Sequence, residues 1–407
     1  MLRPGAGVTG TGSPAIARLT LAAGMASLLD SAAIITVGAA LPLWRTGLGL
    51  DDWSVGAISS SFTLFIAVGA LLGGRAADRL GRARIFAGTV ALYAAGAVVL
   101  ATAQSSSVVV LGVVVLGVAS GADLPSSIAL VAERAPARVR GRMVARTQVM
   151  WTIGVLLATA LALAVSPYGL SGIRVAFATL AVAALGTLVV RRRVMRTVRV
   201  PVGAVAPDRP PSDGSAAGHG GSRRLLALVA VFYLVFTLVS NTFGSFRTYF
   251  LVVVGGAGQT TATAIAFAVT VVGLVGTLIF SVIADGPWRP RVFPAGAALF
   301  VGAQLVLALS GGEPLLVALV AFTMYALAYP FVGEGLYKVW SQELVAPDLR
   351  ATFQGATIAL ARTAAAGFAL VTPALMSWSP AGLFWFLTGA AVVASAVGWV
   401  ITRATTT

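Results

Sequence analysis

Gly74-Arg75-Ala76-Ala77-Asp78-Arg79-Leu80-Gly81-Arg82-Ala83-Arg84 places four arginines and one aspartate between two long apolar runs. That much charge is too costly for hydrocarbon, so the stretch reads as a tight loop at a membrane surface. Its glycines give the turn backbone freedom, and Asp78 is a lone acid among bases. The plain reading is a basic loop that obeys the positive-inside rule.

Working outward, composition agrees with a membrane setting. Of 407 residues, 58% are hydrophobic and 10% are charged, against roughly 25% charged in soluble domains. No soluble core could bury that much apolar surface, so lipid must solvate much of it. A spanning helix needs about 20 apolar residues. The apolar runs place twelve, at 18–43, 54–74, 84–103, 107–132, 143–165 and 172–190, then 225–254, 259–284, 292–310, 315–340, 352–376 and 381–402. The predicted fold is an all-α membrane protein, with six helices in 1–190 and six in 224–407. Between them, 191–223 opens with Arg191, Arg192 and Arg193 and continues in Pro, Gly, Ser and Asp, a composition expected to form a disordered cytoplasmic linker.

The formal charge of +15 would suggest nucleic acid in a soluble protein. Here the bases lie in short segments between apolar runs, where anionic lipid and the insertion rule account for them. No nucleic-acid partner is expected. There are no cysteines, and the single histidine, His219, sits in the linker, so neither disulfides nor a metal centre are predicted. No phosphate-binding glycine loop is present, so ATP-driven transport is not expected; the protein is expected to be no enzyme and to carry no cofactor. Arg3 and Arg18 precede an apolar run that continues past Asp30 to Trp44. That is too long for the core of a signal peptide, and it is expected to remain as the first helix.

Orientation follows from the basic residues. Of 28 Lys and Arg, one side receives only Arg45, Arg174 and Arg247, while Arg362 falls inside a span. The richer side, which includes both termini, is expected to be cytoplasmic, in a plasma membrane. The chain also repeats itself. Asp78 recurs as Asp285, and Glu133…Pro136…Arg140 recurs as Glu343…Pro347…Arg350. Matching offsets at two landmarks imply two pseudo-symmetric six-helix bundles, a common transporter plan.

Ionisable residues at membrane depth are costly, so each is a functional candidate. Asp30 shares a helical face with Gly24, Ser27 and Ser31, a polar stripe that suits a water-lined cavity and a proton-coupling acid. The competing reading is a structural acid satisfied by a neighbouring helix. Asp123 lies between Ser120 and Ser127, and Glu334 is its counterpart in the repeat. The two acids are expected to flank one cavity or gate; for Glu334 a local ion pair with Lys338 competes. Thr237, Asn241, Ser245 and Thr248 share a face, as do Gln148, Trp151, Thr152 and Thr159. Amides pair with the hydroxyls of polar solutes, and an indole can stack on a sugar ring. Gln148, Trp151, Asn241 and Ser245 are therefore the candidate substrate contacts. Arg362 needs an acid or carbonyls as partner, with Asp30 and Glu334 both available.

The opening stretch resembles the Gly-x-x-x-Asp-Arg-x-Gly-Arg loop between helices 2 and 3 of major facilitator superfamily transporters. Gly74, Asp78, Arg79, Gly81 and Arg82 match it, while Ala76 stands where a Leu is usual. Leu29-Asp30-Ser31, Gly121-Ala122-Asp123-Leu124-Pro125, Glu133…Arg140-Gly141 and Tyr337-Lys338-Val339-Trp340-Ser341-Gln342-Glu343…Arg350 look like its sugar porter branch, particularly bacterial inositol-transporter-like members. The resemblance implies conformational roles for the loop residues and for Glu133, Arg140, Glu343 and Arg350; Asp123, Glu334, Lys338 and Arg362 are candidates for gating from their position in the spans. It also implies a sugar contact at Gln148, seven residues past Gly141, and proton coupling at Asp30. The chain departs from the branch after helix 6, where Arg191-Arg192-Arg193 replaces Pro-Glu-Ser-Pro-Arg. It departs again in 108–118, which lacks the arginine that usually partners the helix 1 acid. The expected protein is a monomeric, proton-coupled transporter of a small sugar or polyol working by alternating access. The alternative is a proton-driven exporter of drugs or metabolites on the same fold.

Overall fold

The computed structural model describes residues 14–80, 82–134, 137–197, 223–283, 288–345 and 350–406. Within them it describes backbone alone at 14–20, 22, 23, 74, 75, 77–80, 82–84, 86, 124–134, 137–148, 195–197, 281, 282, 342, 350–352 and 406. The elements are α1 (Pro14–Gly47), α2 (Asp52–Leu80), α3 (Arg82–Ala101), α4 (Ser106–Arg134), α5 (Ala137–Val165) and α6 (Gly169–Thr197). They continue with α7 (Arg223–Val253), α8 (Gln259–Ile283), α9 (Arg289–Ser310), α10 (Leu315–Val332), α11 (Glu334–Glu343), α12 (Arg350–Trp378) and α13 (Pro380–Thr406). Among the described residues no strand occurs.

Among the described residues, ten stretches are long and apolar enough to cross a membrane. One of them, Val149–Val194, is 46 residues long and takes in both α5 and α6, and Ala87–Ala101 is a shorter apolar helix. Taken with the pairing of α10 and α11 in one span, these make the twelve crossings of an all-α membrane protein. Exposed Val98, Leu111, Val182, Leu185 and Leu309 on their outer faces are what lipid would solvate.

Packing repeats between the two halves. In the first, α2 packs on α4, α1 on α5 and α6, and α3 on α4 and α6. In the second, α8 packs on α10, α7 on α12 and α13, and α9 on α10 and α13. The halves meet where α2 packs on α12 and, by the same relation reversed, α5 on α8; α1 also packs on α7. This is the pseudo-symmetry that the repeated landmarks implied. Small residues permit the close crossings: a Cβ on Gly121 of α4 would collide with the Ile66 carbonyl oxygen of α2.

Three boundaries differ from those read in the sequence. The charged stretch at 74–84 is not an open loop. Helical backbone continues to Leu80 and resumes at Arg82, with Gly81 outside the described residues. Hydropathy marks where apolar surface ends, whereas Arg, Ala and Leu favour helix in water as well. For the same reason α6 runs past 190 to Thr197, carrying Arg191, Arg192 and Arg193 as helix. The span predicted at 315–340 is broken at Gly333, whose φ of −107° and ψ of −150° are extended. Pro330 supplies no N–H to the last turn of α10, and a Cβ on Gly333 would stand 2.8 Å from the Phe236 ring. The break leaves Glu334 in the first turn of α11.

Candidate functional site

A cavity with about 1330 Å³ of empty space, its opening included, lies between α1 and α5 on one side and α7, α8, α10, α11 and α12 on the other. Both halves of the chain therefore line it. From the first come Ser31, Trp151 and Thr152; from the second come Tyr233, Thr237, Asn241, Arg247, Thr270, Tyr325, Tyr329, Glu334 and Arg362. The walls are aromatic. Trp151 stacks on Tyr329 across the two halves with ring centroids 6.4 Å apart, and Phe243 stacks on Tyr325 at 4.2 Å. Rings and polar groups mixed in this way offer flat apolar faces with hydrogen-bonding edges, which suits a small polar solute.

On α1, the Ser31 hydroxyl donates to the Trp151 carbonyl at 2.8 Å and fixes the α1–α5 crossing at the cavity wall. One residue earlier, Asp30 is 2% exposed and accepts a 2.5 Å hydrogen bond from the Ser120 hydroxyl of α4. Tyr93 of α3 donates to the Leu29 carbonyl at 2.8 Å, holding the same turn from behind. Asp30 lies behind Ser31 and does not itself line the cavity. Its counter-charge comes from the opposite half: Arg362 on α12 interacts electrostatically with both Asp30 and Glu334. The sequence left these two acids as alternatives for Arg362; both lie within electrostatic range of it, and neither forms an ion pair with it at contact distance.

Glu334 faces the cavity, pairs with Lys338 at 3.1 Å one turn along α11, and accepts a 3.5 Å contact from the Tyr329 hydroxyl. Asp123 does not join it there. Both Asp123 oxygens accept from Arg191 of α6, at 2.7 and 2.8 Å, and Thr89 of α3 donates to Oδ1 at 2.9 Å. The expectation that Asp123 and Glu334 flank one cavity is therefore corrected. Asp123 is drawn away because a buried carboxylate takes the nearest cation, and Arg191, 0% exposed, reaches it on the extended α6.

The remaining sequence candidates divide. Trp151, Asn241, Glu334 and Arg362 line the cavity. Ser245 is buried but lies outside the lining, with its carbonyl against Gly38 of α1. Glu343 pairs with Arg289 at 2.8 Å on the surface. The side chains of Gln148, Gly74, Asp78, Arg79, Arg82, Glu133, Arg140 and Arg350, and Gly81 entirely, lie outside the described residues. Sequence reading missed Tyr233, Tyr325, Tyr329 and Thr270, and took Arg247 as a charge at the outer end of its helix. Tyr325 and Tyr329 stand four apart in an otherwise apolar run, a spacing that puts both on one face.

At one end of the cavity the two halves are tied together. Tyr249 of α7 donates to Asp52 of α2 at 2.7 Å, and Arg45 binds the same oxygen at 3.0 Å. Gln259 of α8 donates to the Ala39 carbonyl of α1 at 3.0 Å, and Ser166 donates to Thr260 at 3.1 Å. Beside them, bonds from Ser54 hold the exposed Asp51 carboxyl below the usual carboxylate range, as befits the cap of α2.

Comparison with known proteins agrees with this architecture. Residues 21–370 match the model of the Major Facilitator Superfamily. The minor myo-inositol transporter of Bacillus subtilis (strain 168) is 28% identical over 385 residues, covering 90% of this chain and 86% of that protein. The arabinose-proton symporter of Escherichia coli (strain K12) is 33% identical over 144 residues, 34% of this chain and 30% of that one. The solved inward-open structure of a xylose transporter from E. coli superposes with a TM-score of 0.77 at 18% identity, covering 94% of this chain and 95% of that one.

Proposed function

From the premise that this chain belongs to the Major Facilitator Superfamily, we propose that it moves a small hydroxylated solute of the sugar or polyol class across a plasma membrane by alternating access. The observation that carries the reading is the cavity shared by both halves, with Trp151 from one and Asn241 and Tyr329 from the other. A solute held by both halves couples their relative motion to its own passage. The names of the Bacillus subtilis and E. coli relatives support the solute class. In this reading α1–α6 and α7–α13 are the moving bundles, the segment between Thr197 and Arg223 joins them, and both termini face the cytoplasm.

Proton coupling belongs to the same proposal. Asp30 is buried one residue from a cavity-lining serine, and the charge of Arg362 reaches it from the other half. An acid so placed can exchange a proton while the counter-charge moves with the opposite bundle. Contacts at the Asp52 end then close one face of the cavity, while Asp78 and its neighbours, at the other ends of α2 and α3, help set the balance between the two faces. Gln148 is proposed to join Asn241 on the solute.

A substrate panel in proteoliposomes tests the reading. Saturable uptake of a hexose, pentose or cyclitol, enhanced by an inside-alkaline gradient, is expected. Expulsion of hydrophobic cations with indifference to every hydroxylated solute would overturn it in favour of an exporter.

A further inference from the structure

Charge around the cavity does not balance. Among the described residues, Asp30 and Glu334 are the acids in or bordering it, and Arg247, Arg362 and Lys338 are the cations. Lys338 is taken by Glu334 at 3.1 Å, and Arg362 by the fields of Asp30 and Glu334. Arg247 is left over. Its Nη2 reaches only the Thr270 hydroxyl, at a long 3.4 Å, and its Nε is buried with no partner. Its electrostatic neighbour is the neutral Tyr325 rather than a carboxylate.

A guanidinium presents five donors and cannot shed its charge, so withdrawing it from water without an anion is expensive. At membrane depth such a group is retained where something compensates it. Arg247 is partly exposed and lines the cavity, so a ligand there can supply the partner that the protein does not give its buried Nε. Resting on the proposed transport of a hydroxylated solute, we infer that the substrate carries a carboxylate, which Arg247 binds while Asn241 and its neighbours bind the hydroxyls. Arg247 and Asn241 are six residues apart on α7, about 9 Å of helical rise, and both line the cavity. Tyr325 and Phe243, stacked on each other at 4.2 Å, give the same wall an aromatic surface. Both a sugar acid and an aromatic hydroxy acid have the required chemistry.

The test compares matched pairs that differ only in the charged group, on the purified full-length protein. D-Glucuronate with D-glucose and D-galacturonate with D-galactose represent sugar acids; 3-hydroxybenzoate with 3-hydroxybenzyl alcohol represents aromatic acids; myo-inositol is the neutral reference. Calorimetric titration should show the carboxylate of at least one pair binding roughly tenfold or more tighter than its neutral twin. Which pair responds identifies the source. In Arg247→Gln the preference should collapse to within about twofold, and in Arg247→Lys it should partly return, as a point charge replaces a fork. Neutral members binding as well as their acids, or a preference that survives Arg247→Gln, would overturn the inference while leaving the transport of hydroxylated solutes standing. Failure of every compound, myo-inositol included, would overturn both.

Discussion

Tyr249 on α7 and Asp52 on α2 are joined by a 2.7 Å hydrogen bond, and that bond ties the second half of the chain to the first at one end of the cavity. Arg45 holds the same carboxylate oxygen at 3.0 Å, so Asp52 is fixed from its own half and offered to the other. Glu334 lies toward the opposite end of the spans. In an alternating-access cycle the Tyr249 bond has to break whenever this end opens.

Replacing Tyr249 with Phe removes that bond and little else. A hydrogen bond to a charged group contributes about 1.5–3 kcal/mol, and the lower figure suits a carboxylate that Arg45 also holds. The equilibrium should shift roughly tenfold toward opening at the Asp52 end. The chain has no cysteines, so a single cysteine in place of Ala257 reports opening cleanly through its rate of maleimide labelling. An unchanged rate in Tyr249→Phe would show that the contact does not hold this end closed.

Asp30→Asn should abolish gradient-driven accumulation while leaving counterflow, which moves no net proton. The amide matches the carboxylic acid in size and can still accept the Ser120 hydrogen bond. Parallel loss of both activities would make Asp30 structural, and full retention of accumulation would move proton coupling elsewhere.

The buried Asp123–Arg191 pair is expected to contribute to stability, and thermal unfolding in detergent tests it. Removing one partner of a buried pair takes away much of the other's compensation and costs up to about 3–5 kcal/mol. Arg191→Met and Asp123→Asn should each lower the melting temperature markedly, and the double variant should lose less than the two single losses combined. Strict additivity would show that the two groups do not depend on each other.

Asn241→Ala deletes a cavity amide without creating a steric conflict. Losing a buried hydrogen-bond partner costs about 1–3 kcal/mol, or roughly five- to a hundred-fold in half-saturation. Ser245→Ala, outside the lining, should leave half-saturation within about twofold. If Ser245→Ala has the larger effect, the solute sits elsewhere.

The fold was readable because a bilayer makes one demand that dominates all others: about 20 apolar residues per crossing. That demand marks the apolar runs and is blind to where helices end in water, which is why α2 and α6 extend beyond their predicted limits. The site was readable in part. Asp30, Trp151, Asn241, Glu334 and Arg362 stand out as polar groups in apolar runs. Partners across the bundle do not, because Arg191 reaching Asp123 and Arg362 reaching Asp30 depend on helix packing rather than on spacing along one helix. Arg247 was misread for a related reason. An arginine six residues before the end of an apolar run looks like an interfacial anchor until the aromatic wall of α10 is seen beside it.

Transport itself is most directly tested with wild-type protein in sealed proteoliposomes containing no energy source beyond an imposed pH gradient. The account predicts saturable accumulation of a hydroxylated solute above its external concentration under an inside-alkaline gradient, collapsed by a protonophore and absent from protein-free vesicles. Equilibration that never exceeds the external concentration would contradict coupling. Uptake no faster than in protein-free vesicles, for every sugar, polyol and sugar acid tried, would contradict the account as a whole.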